Sequence, residues 1–277
     1  MPLVSLSLDY ARMSDLSAFT GMKLTSLGLE DTSVADLSPL LGMPLTNLNI
    51  RGTKVVDLSP LEGMPLTELS LWSSRATDLT PLKGLPIKTL LLGQSSVIDI
   101  SPLRGMPLER LLLGMTQVRD LSPLEGAPLT DLSLSQTQVS DLMPLKGAPL
   151  TKLDVSDTKV SDLSPVADAP LRKLRLARTA VQDLSPLAGK KFRELDLSGT
   201  RVTDLSPLAG MNLRDLDVKG LRITDLSPLR GMPIEFLDLS GTDVEDLSPL
   251  QGMPLRCLYL TNTKLRPWWV CRSSGWK

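Results

Sequence analysis

The sequence has no histidine and little cysteine or aromatic character. Its 277 residues include two cysteines, and aromatic side chains make up 3% of the chain. Histidine is the commonest general base, a common zinc ligand and the usual partner of a nucleophilic serine or cysteine. We therefore expect a protein that is not an enzyme and that holds no metal or cofactor. Two cysteines are also too few for a disulfide framework.

An excess of charge of one sign and long hydrophobic runs are missing as well. Thirty basic and 31 acidic side chains give a net charge of −1, so the basic footprint of a nucleic-acid-binding protein is absent. No apolar run is long enough for a signal peptide or a membrane span. We expect neither a nucleic-acid nor a membrane partner, and either a cytoplasmic location or a fragment of a larger protein.

A repeat of 21 residues fills almost the whole chain. Twelve complete units run from Leu3 to Pro254, and each reads approximately L-x-x-L-x-L-x-x-T-x-V-x-D-L-S-P-L-x-G-M-P. A fixed period of this length is typical of a solenoid. We predict one domain over 1–277, with a degenerate N-terminal repeat in 1–23, eleven regular repeats in 24–254, and a partial repeat with a Trp-rich cap in 255–277.

The pattern within each unit predicts its local structure. Apolar residues at positions 4 and 6 indicate a half-buried strand, and we expect Thr at position 9 and Val at position 11 to point inward as well. Asp-Leu-Ser-Pro-Leu at positions 13 to 17 is typical of the start of a helical turn, with Ser as the expected cap. Gly at position 19 and Pro at position 21 leave room for a single 3₁₀ turn before the next parallel strand.

The L-x-x-L-x-L-x-x-T frame resembles a leucine-rich repeat, and the segment from Asp99 to Leu103 resembles the internalin-like bacterial class. This resemblance implies a curved right-handed superhelix with a parallel β-sheet on its concave face and 3₁₀ turns on its convex face. It further implies a non-catalytic module that binds a protein or peptide on the concave face.

Other functional readings stay open at this stage. Similar repeats are attached to bacterial serine/threonine kinases, although no kinase motif occurs in this chain. The alternatives are therefore a regulatory or substrate-recruiting arm of a larger enzyme, or a structural scaffold. We expect a monomer, with self-association through an edge strand as the alternative.

Two columns of identical residues invite functional readings. Asp stands at position 13 of all twelve complete units, and we expect it to accept backbone N–H bonds rather than to form a calcium ladder. Thr stands at position 9 in nine of thirteen units. Because we expect that side chain to point inward, we favour a role in the core over ice binding.

The outward strand positions 3, 5 and 7 differ between units, so we expect partner binding there. The candidate residues near the middle of the chain are apolar, with Gly93 and Gly114 expected to leave space beside them: Trp72, Leu91, Leu112 and Met115. They form either a binding hot spot or a set of scattered surface hydrophobes.

Further candidates lie towards the C-terminal end. Asp196, Asp217 and Asp238 form a predicted acidic strip, which either binds a basic partner segment or cation or is neutralised by nearby Arg and Lys. Phe236 and Tyr259 belong either to covered surface or to a second contact patch. The neutralising residues considered are Lys152, Arg172, Lys173, Arg193, Arg214, Lys219 and Arg256.

Overall fold

The structure is a computed structural model and describes residues 3–265. The predicted Trp-rich cap, which includes Trp268, Trp269 and Cys271, lies outside the described residues. Backbone contacts divide the chain into two compact units, residues 1–149 and 150–277, and each is described by itself. One domain over 1–277 stays a prediction.

The first unit contains one short strand and one 3₁₀ turn for each repeat. Its parallel strands pair in chain order: β1 Ser5–Ser7, β2 Ser26–Gly28, β3 Asn47–Asn49, β4 Glu68–Ser70, β5 Thr89–Leu91, β6 Arg110–Leu112 and β7 Asp131–Ser133. Its 3₁₀ turns are Ser17–Phe19, Ser38–Leu40, Ser59–Leu61, Thr80–Leu82, Ser101–Leu103, Ser122–Leu124 and Met143–Leu145.

The second unit repeats this arrangement. Its parallel strands are β8 Lys152–Asp154, β9 Lys173–Arg175, β10 Glu194–Asp196, β11 Asp215–Asp217, β12 Phe236–Asp238 and β13 Cys257–Tyr259. Its 3₁₀ turns are Ser164–Val166, Ser185–Leu187, Ser206–Leu208, Ser227–Leu229 and Ser248–Leu250. The predicted solenoid of parallel strands and 3₁₀ turns is confirmed.

The register within each unit follows the repeat directly. Every strand covers positions 3 to 5, and each residue pairs with the residue 21 places later, as Leu90 does with Leu111. The backbone ladder continues beyond the strands, because the position-8 N–H donates to the position-7 carbonyl of the next repeat; Gln94 donates to Gly114 at 2.9 Å. Columns of the sequence therefore become rows of neighbouring side chains.

The core consists of the apolar residues at seven positions of the repeat. Leu108, Leu111, Leu113 and Val118, at positions 1, 4, 6 and 11, are each 0% exposed. Positions 14, 17 and 20 complete the set in the same way. Each repeat places its apolar side chains against those of the next, so burial depends on stacking rather than on any one repeat.

The inward orientation of the Thr column is confirmed. Thr116 is 4% exposed, and its hydroxyl donates to the Leu113 carbonyl at 2.7 Å. The same bond to the carbonyl three residues earlier is made by Thr32, Thr53, Thr137, Thr158, Thr179, Thr200 and Thr242. These hydroxyls therefore close the backbone turn after each strand.

The Asp column has the predicted backbone role, but the prediction that Ser caps the turn is wrong. Asp120 accepts the Ser122 backbone N–H at 2.8 Å and the Ser122 hydroxyl at 2.9 Å. The turn begins at Ser122 itself. The residue before it, Leu121, makes no capping hydrogen bond through its side chain. Asp takes the capping role because it stands two residues before the free N–H, where its carboxylate reaches it.

All thirteen residues at position 8 have a left-handed backbone. Four are glycine and nine are not, including Tyr10 with φ 64°, Gln94 with φ 58° and Met115 with φ 62°. This conformation costs an L-residue roughly 1–2 kcal/mol. The hydrogen bond from the position-8 N–H to the next repeat stabilises the strained backbone, so its side chain is free to vary.

Candidate functional site

A groove of about 250 Å³ lies on the outward sheet face of the first unit. Its walls are outward residues of β1 to β5 and the residues that follow β1, and most of them are polar: Ser5, Ser7, Asp9, Ser26, Asn47, Asn49, Glu68, Ser70 and Thr89. Leu91 lies at its β5 end. The groove therefore changes from polar to apolar along the direction of the stack.

The predicted apolar residues of the first unit do lie close together. Leu91 and Leu112 are direct register partners on β5 and β6, and both are half-buried. Trp72 is half-buried as well, whereas Met115 is 46% exposed. We call these four residues the apolar centre.

A row of contacts at position 7 links the polar groove to the apolar centre. The Glu30 carboxylate lies 3.6 Å from the Arg51 guanidinium, and the Arg51 guanidinium lies 5.9 Å from the centroid of the Trp72 ring. The Trp72 ring in turn covers Gly93, where an added Cβ would lie 2.4 Å from the ring. The sequence suggested that Gly93 leaves open space beside the apolar residues. The space is instead occupied by the indole of the preceding repeat.

A second row, at position 8, holds the Trp72 ring in place. The indole N–H donates to Gln94 Oε1 at 3.1 Å, and the Ser73 hydroxyl donates to the same oxygen at 2.8 Å. Gln94 Nε2 lies 3.4 Å from Met115 Sδ. Like every residue at position 8, Ser73, Gln94 and Met115 have a left-handed backbone.

Sequence reasoning missed Arg51 and Gln94, which contact Trp72 from either side. Both lie in adjacent repeats, 21 and 22 residues away, so local sequence gives no sign of them. The signal that could have found them is the repeat itself: residues in the same column of successive units must be neighbours. Reading position 7 across units would have placed Arg51, Trp72 and Gly93 in one row.

The acidic strip of the second unit forms as predicted. Asp196 pairs in register with Asp217, and Asp217 pairs with Asp238. Each also accepts a backbone N–H from two residues later, as Asp238 does from Ser240 at 2.8 Å. These bonds fix the carboxylates in one row on the sheet.

Burial makes part of this row costly to ionise. Burial raises the pKa of Asp217, and the Asp196 and Asp238 carboxylates on either side raise it further. The pKa of Asp215 on the same strand is raised by burial and by the nearby Glu194 carboxylate. The strip therefore concentrates negative charge that the surrounding chain does not fully stabilise.

Neighbouring cations neutralise other carboxylates rather than the strip. Arg214 and Arg256 pair with Glu235 at 3.2 and 3.1 Å, and Lys173 pairs with Glu194. Among residues 3–265, no cationic nitrogen lies within 4.0 Å of the Asp196, Asp217 or Asp238 carboxylates. Of the neutralising residues considered from the sequence, Lys219 does act on the strip, because its charge lowers the pKa of Asp217, but burial and the flanking carboxylates outweigh it.

The two aromatic candidates flank the end of the strip. Tyr259 is the register partner of Asp238 and is 55% exposed, and Phe236 is the partner of Cys257 and is 41% exposed. Cys257 is a free, half-buried thiol. The strip thus ends beside exposed aromatic surface.

Two kinds of feature are absent from the described residues. Between residues 3 and 265, no group of three or more Asp, Glu, Cys or His side chains is arranged to hold a metal ion. In the same part of the chain, no helical segment has the length and apolar character that a bilayer-crossing helix needs.

No family model and no curated protein sequence matches the chain. Solved structures do. An internalin, InlF, from Listeria monocytogenes is 25% identical with a TM-score of 0.74 over 95% of this chain and 75% of its own. The functional domain of InlJ from the same organism is 24% identical with a TM-score of 0.71, over 95% and 59%.

The fold also resembles a plant receptor. The leucine-rich-repeat ectodomain of the membrane receptor kinase GASSHO1/SCHENGEN3 from Arabidopsis thaliana, solved with CASPARIAN STRIP INTEGRITY FACTOR 2, is 17% identical. Its TM-score is 0.76, over 95% of this chain and 36% of its own. With its parallel strands, its 3₁₀ turns and these neighbours, the chain is an internalin-like leucine-rich-repeat protein.

Proposed function

We propose that the protein is a non-catalytic module that binds a protein or peptide on its outward sheet face. The observation that carries this proposal is that the buried positions of the repeat are constant while its outward positions vary. In the regular repeats, positions 1, 4, 6, 11, 14 and 17 are buried and nearly uniform, whereas positions 3, 5 and 7 face outward and differ from unit to unit. Variation that does not serve the core is available for recognition.

In the first unit the proposed contact is the apolar centre together with the polar groove beside it. An apolar side chain of the partner would bury Leu91 and Leu112, with Trp72 held on one side by its bond to Gln94. Such pre-ordered aromatic anchors are typical of binding hot spots. The polar groove would then hold the flanking backbone through its hydroxyl and amide groups.

In the second unit we propose that the acidic strip receives a basic segment. Asp196, Asp217 and Asp238 have no cation within 4.0 Å among the described residues. A Lys or Arg side chain placed over the row would offset the burial and the carboxylate repulsion that raise the pKa of Asp217. Phe236 and Tyr259 would supply apolar contact at the end of the strip.

The test is selection of peptides from a random display library, followed by fluorescence-anisotropy titration of the selected peptides. The triple variant Trp72→Ala/Leu91→Ser/Leu112→Ser should bind the peptides that are selected by the first unit at least about tenfold more weakly, because it removes the apolar anchors. Peptides that bind the acidic strip should be basic, and their affinity should fall as salt rises.

A matched control removes three exposed apolar residues away from the sheet face. Leu41, Val56 and Ile98 are 71%, 58% and 56% exposed and stand at positions 12 and 18 of their repeats. Their triple Ser variant should bind as the wild type does. Equal loss in both triple variants, or no loss in the first, would refute the apolar centre as the site.

A further inference from the structure

A cavity of about 560 Å³ lies in the second unit, at the edge of the sheet where the chain enters β10 and β11. Its lining includes Asn212 and no acidic residue. Five basic side chains also line it: Arg172, Lys190, Lys191, Arg193 and Arg214. It is separate from the outward positions proposed above for protein binding.

The cavity coincides with a departure from the repeat. Most units close with an apolar residue at position 20 and Pro at position 21, and Met64, Met106 and Met232 at position 20 are at most 4% exposed. The unit before β10 instead carries Lys190 and Lys191, and the next carries Asn212 at position 21. Among the eleven regular units, these two consecutive units are the ones that lack the closing Pro.

Lys190 stands in a row that is otherwise apolar. Its ammonium group reaches back to donate to the Ala169 carbonyl at 2.7 Å. Burial lowers the pKa of Lys190, and the nearby Asp168 carboxylate partly offsets that effect. Lys190 therefore adds a basic side chain to the cavity lining at a position where the other units carry an apolar one.

The arginines form a second departure at the same place. Position 2 carries Arg in three consecutive units, Arg172, Arg193 and Arg214, where Thr is the commonest residue of the array. Register spacing of about 4.8 Å holds these like charges side by side. Arg214 pairs with Glu235, but within residues 3–265 no carboxylate lies within 4.0 Å of the cationic groups of Arg172, Arg193 or Lys191.

We propose that this cavity binds a small anionic ligand that carries several phosphate groups. Guanidinium groups bind phosphate oxygens in a bidentate manner, and an ammonium group adds a compact charge. The volume lies within the range of about 300–1,000 Å³ typical of small-ligand sites. A ligand with several phosphates would contact all three arginines of the row at once, whereas a single phosphate can bridge only two neighbours.

Isothermal titration calorimetry with tripolyphosphate tests the proposal. Lys191 and Arg193 are exposed, so the variant Lys191→Gln/Arg193→Gln should fold normally and bind about tenfold more weakly or worse, since two charge-assisted contacts are lost. The charge-matched control Lys83→Gln/Lys146→Gln removes two exposed lysines of the first unit and should bind like the wild type.

A second variant restores the usual repeat. Lys190→Met/Lys191→Pro should abolish binding, because it removes two of the basic side chains that line the cavity, while the free energy of unfolding is kept or increased. Failure of the wild type to bind tripolyphosphate at low salt would overturn the proposal, as would equal loss in the charge-matched control. Tighter binding of an oligoglutamate peptide that tripolyphosphate does not displace would also overturn it, in favour of an acidic protein segment.

Discussion

The left-handed backbone at position 8 predicts opposite effects of the same substitution at two sites two residues apart. Gln136 has φ 57° and is exposed, and Gln138 is exposed but does not have a positive φ. Replacing Gln136 by Gly removes a backbone cost of roughly 1–2 kcal/mol. Glycine also gives the unfolded chain more conformational freedom, which lowers the free energy of unfolding by about 0.4–1 kcal/mol. The expected net gain for Gln136→Gly is therefore about 0–1.6 kcal/mol, with a central value of about 0.8 kcal/mol.

At Gln138 only the entropic effect remains, so Gln138→Gly should lower the free energy of unfolding by about 0.4–1 kcal/mol. Urea denaturation of the two variants and the wild type measures both changes. Gln136→Val is the third member of the set, and it should be the least stable because a β-branched residue fits a left-handed backbone poorly. Equal signs for the two glycine variants would refute the assignment of strain to position 8.

Three further predictions concern buried and charged columns. Thr116→Val should cost about 1 kcal/mol in urea denaturation, since it deletes the bond to the Leu113 carbonyl, whereas a gain in stability would show that the hydroxyl has no backbone role. Asp217→Asn should raise the Tm at pH 7 but not at pH 3. The pKa of Asp217 is raised in the folded state, so its ionisation destabilises that state as the pH rises above about 4. An equal gain in Tm at both pH values would contradict this. Hydrogen bonds from Ser38 lower the pKa of Asp36, so the stability it confers should be lost as pH falls below about 4, and Asp36→Asn should flatten a Tm-versus-pH profile that otherwise declines towards pH 3.

The fold was predictable because one simple rule repeats. Alternation along a strand assigns Leu111 and Leu113 to the inside. Strict alternation would turn Thr116 outward, because it lies three residues after Leu113, but the left-handed backbone of Met115 breaks the alternation and Thr116 is buried. A 21-residue period then fixes which residues pair across strands, since only equal positions keep every apolar side chain inside. Backbone geometry and burial act at every repeat in the same sense, so local and global preferences agree.

Other features depend on contacts between repeats and were not predictable from one repeat. Ser122 and Asp120 both have side chains able to cap a turn, and only the path of the chain decides that Asp120 does so. The left-handed residues include Tyr10 and Met115, whose types give no sign of that conformation. The basic cavity was missed because its arginines were considered only as neutralisers of the acidic strip.

The constant register has a consequence for how such a chain can change its length. Within each unit, strand pairing links residue n to residue n + 21, as with Leu90 and Leu111. Gain or loss of 21 codons by recombination between repeats would leave each column aligned and the new junction already packed. Gain or loss of a single codon would instead shift all later columns against the earlier ones. The architecture therefore tolerates changes in copy number far better than point insertions, and duplicated units can diverge at their outward positions without rebuilding the core.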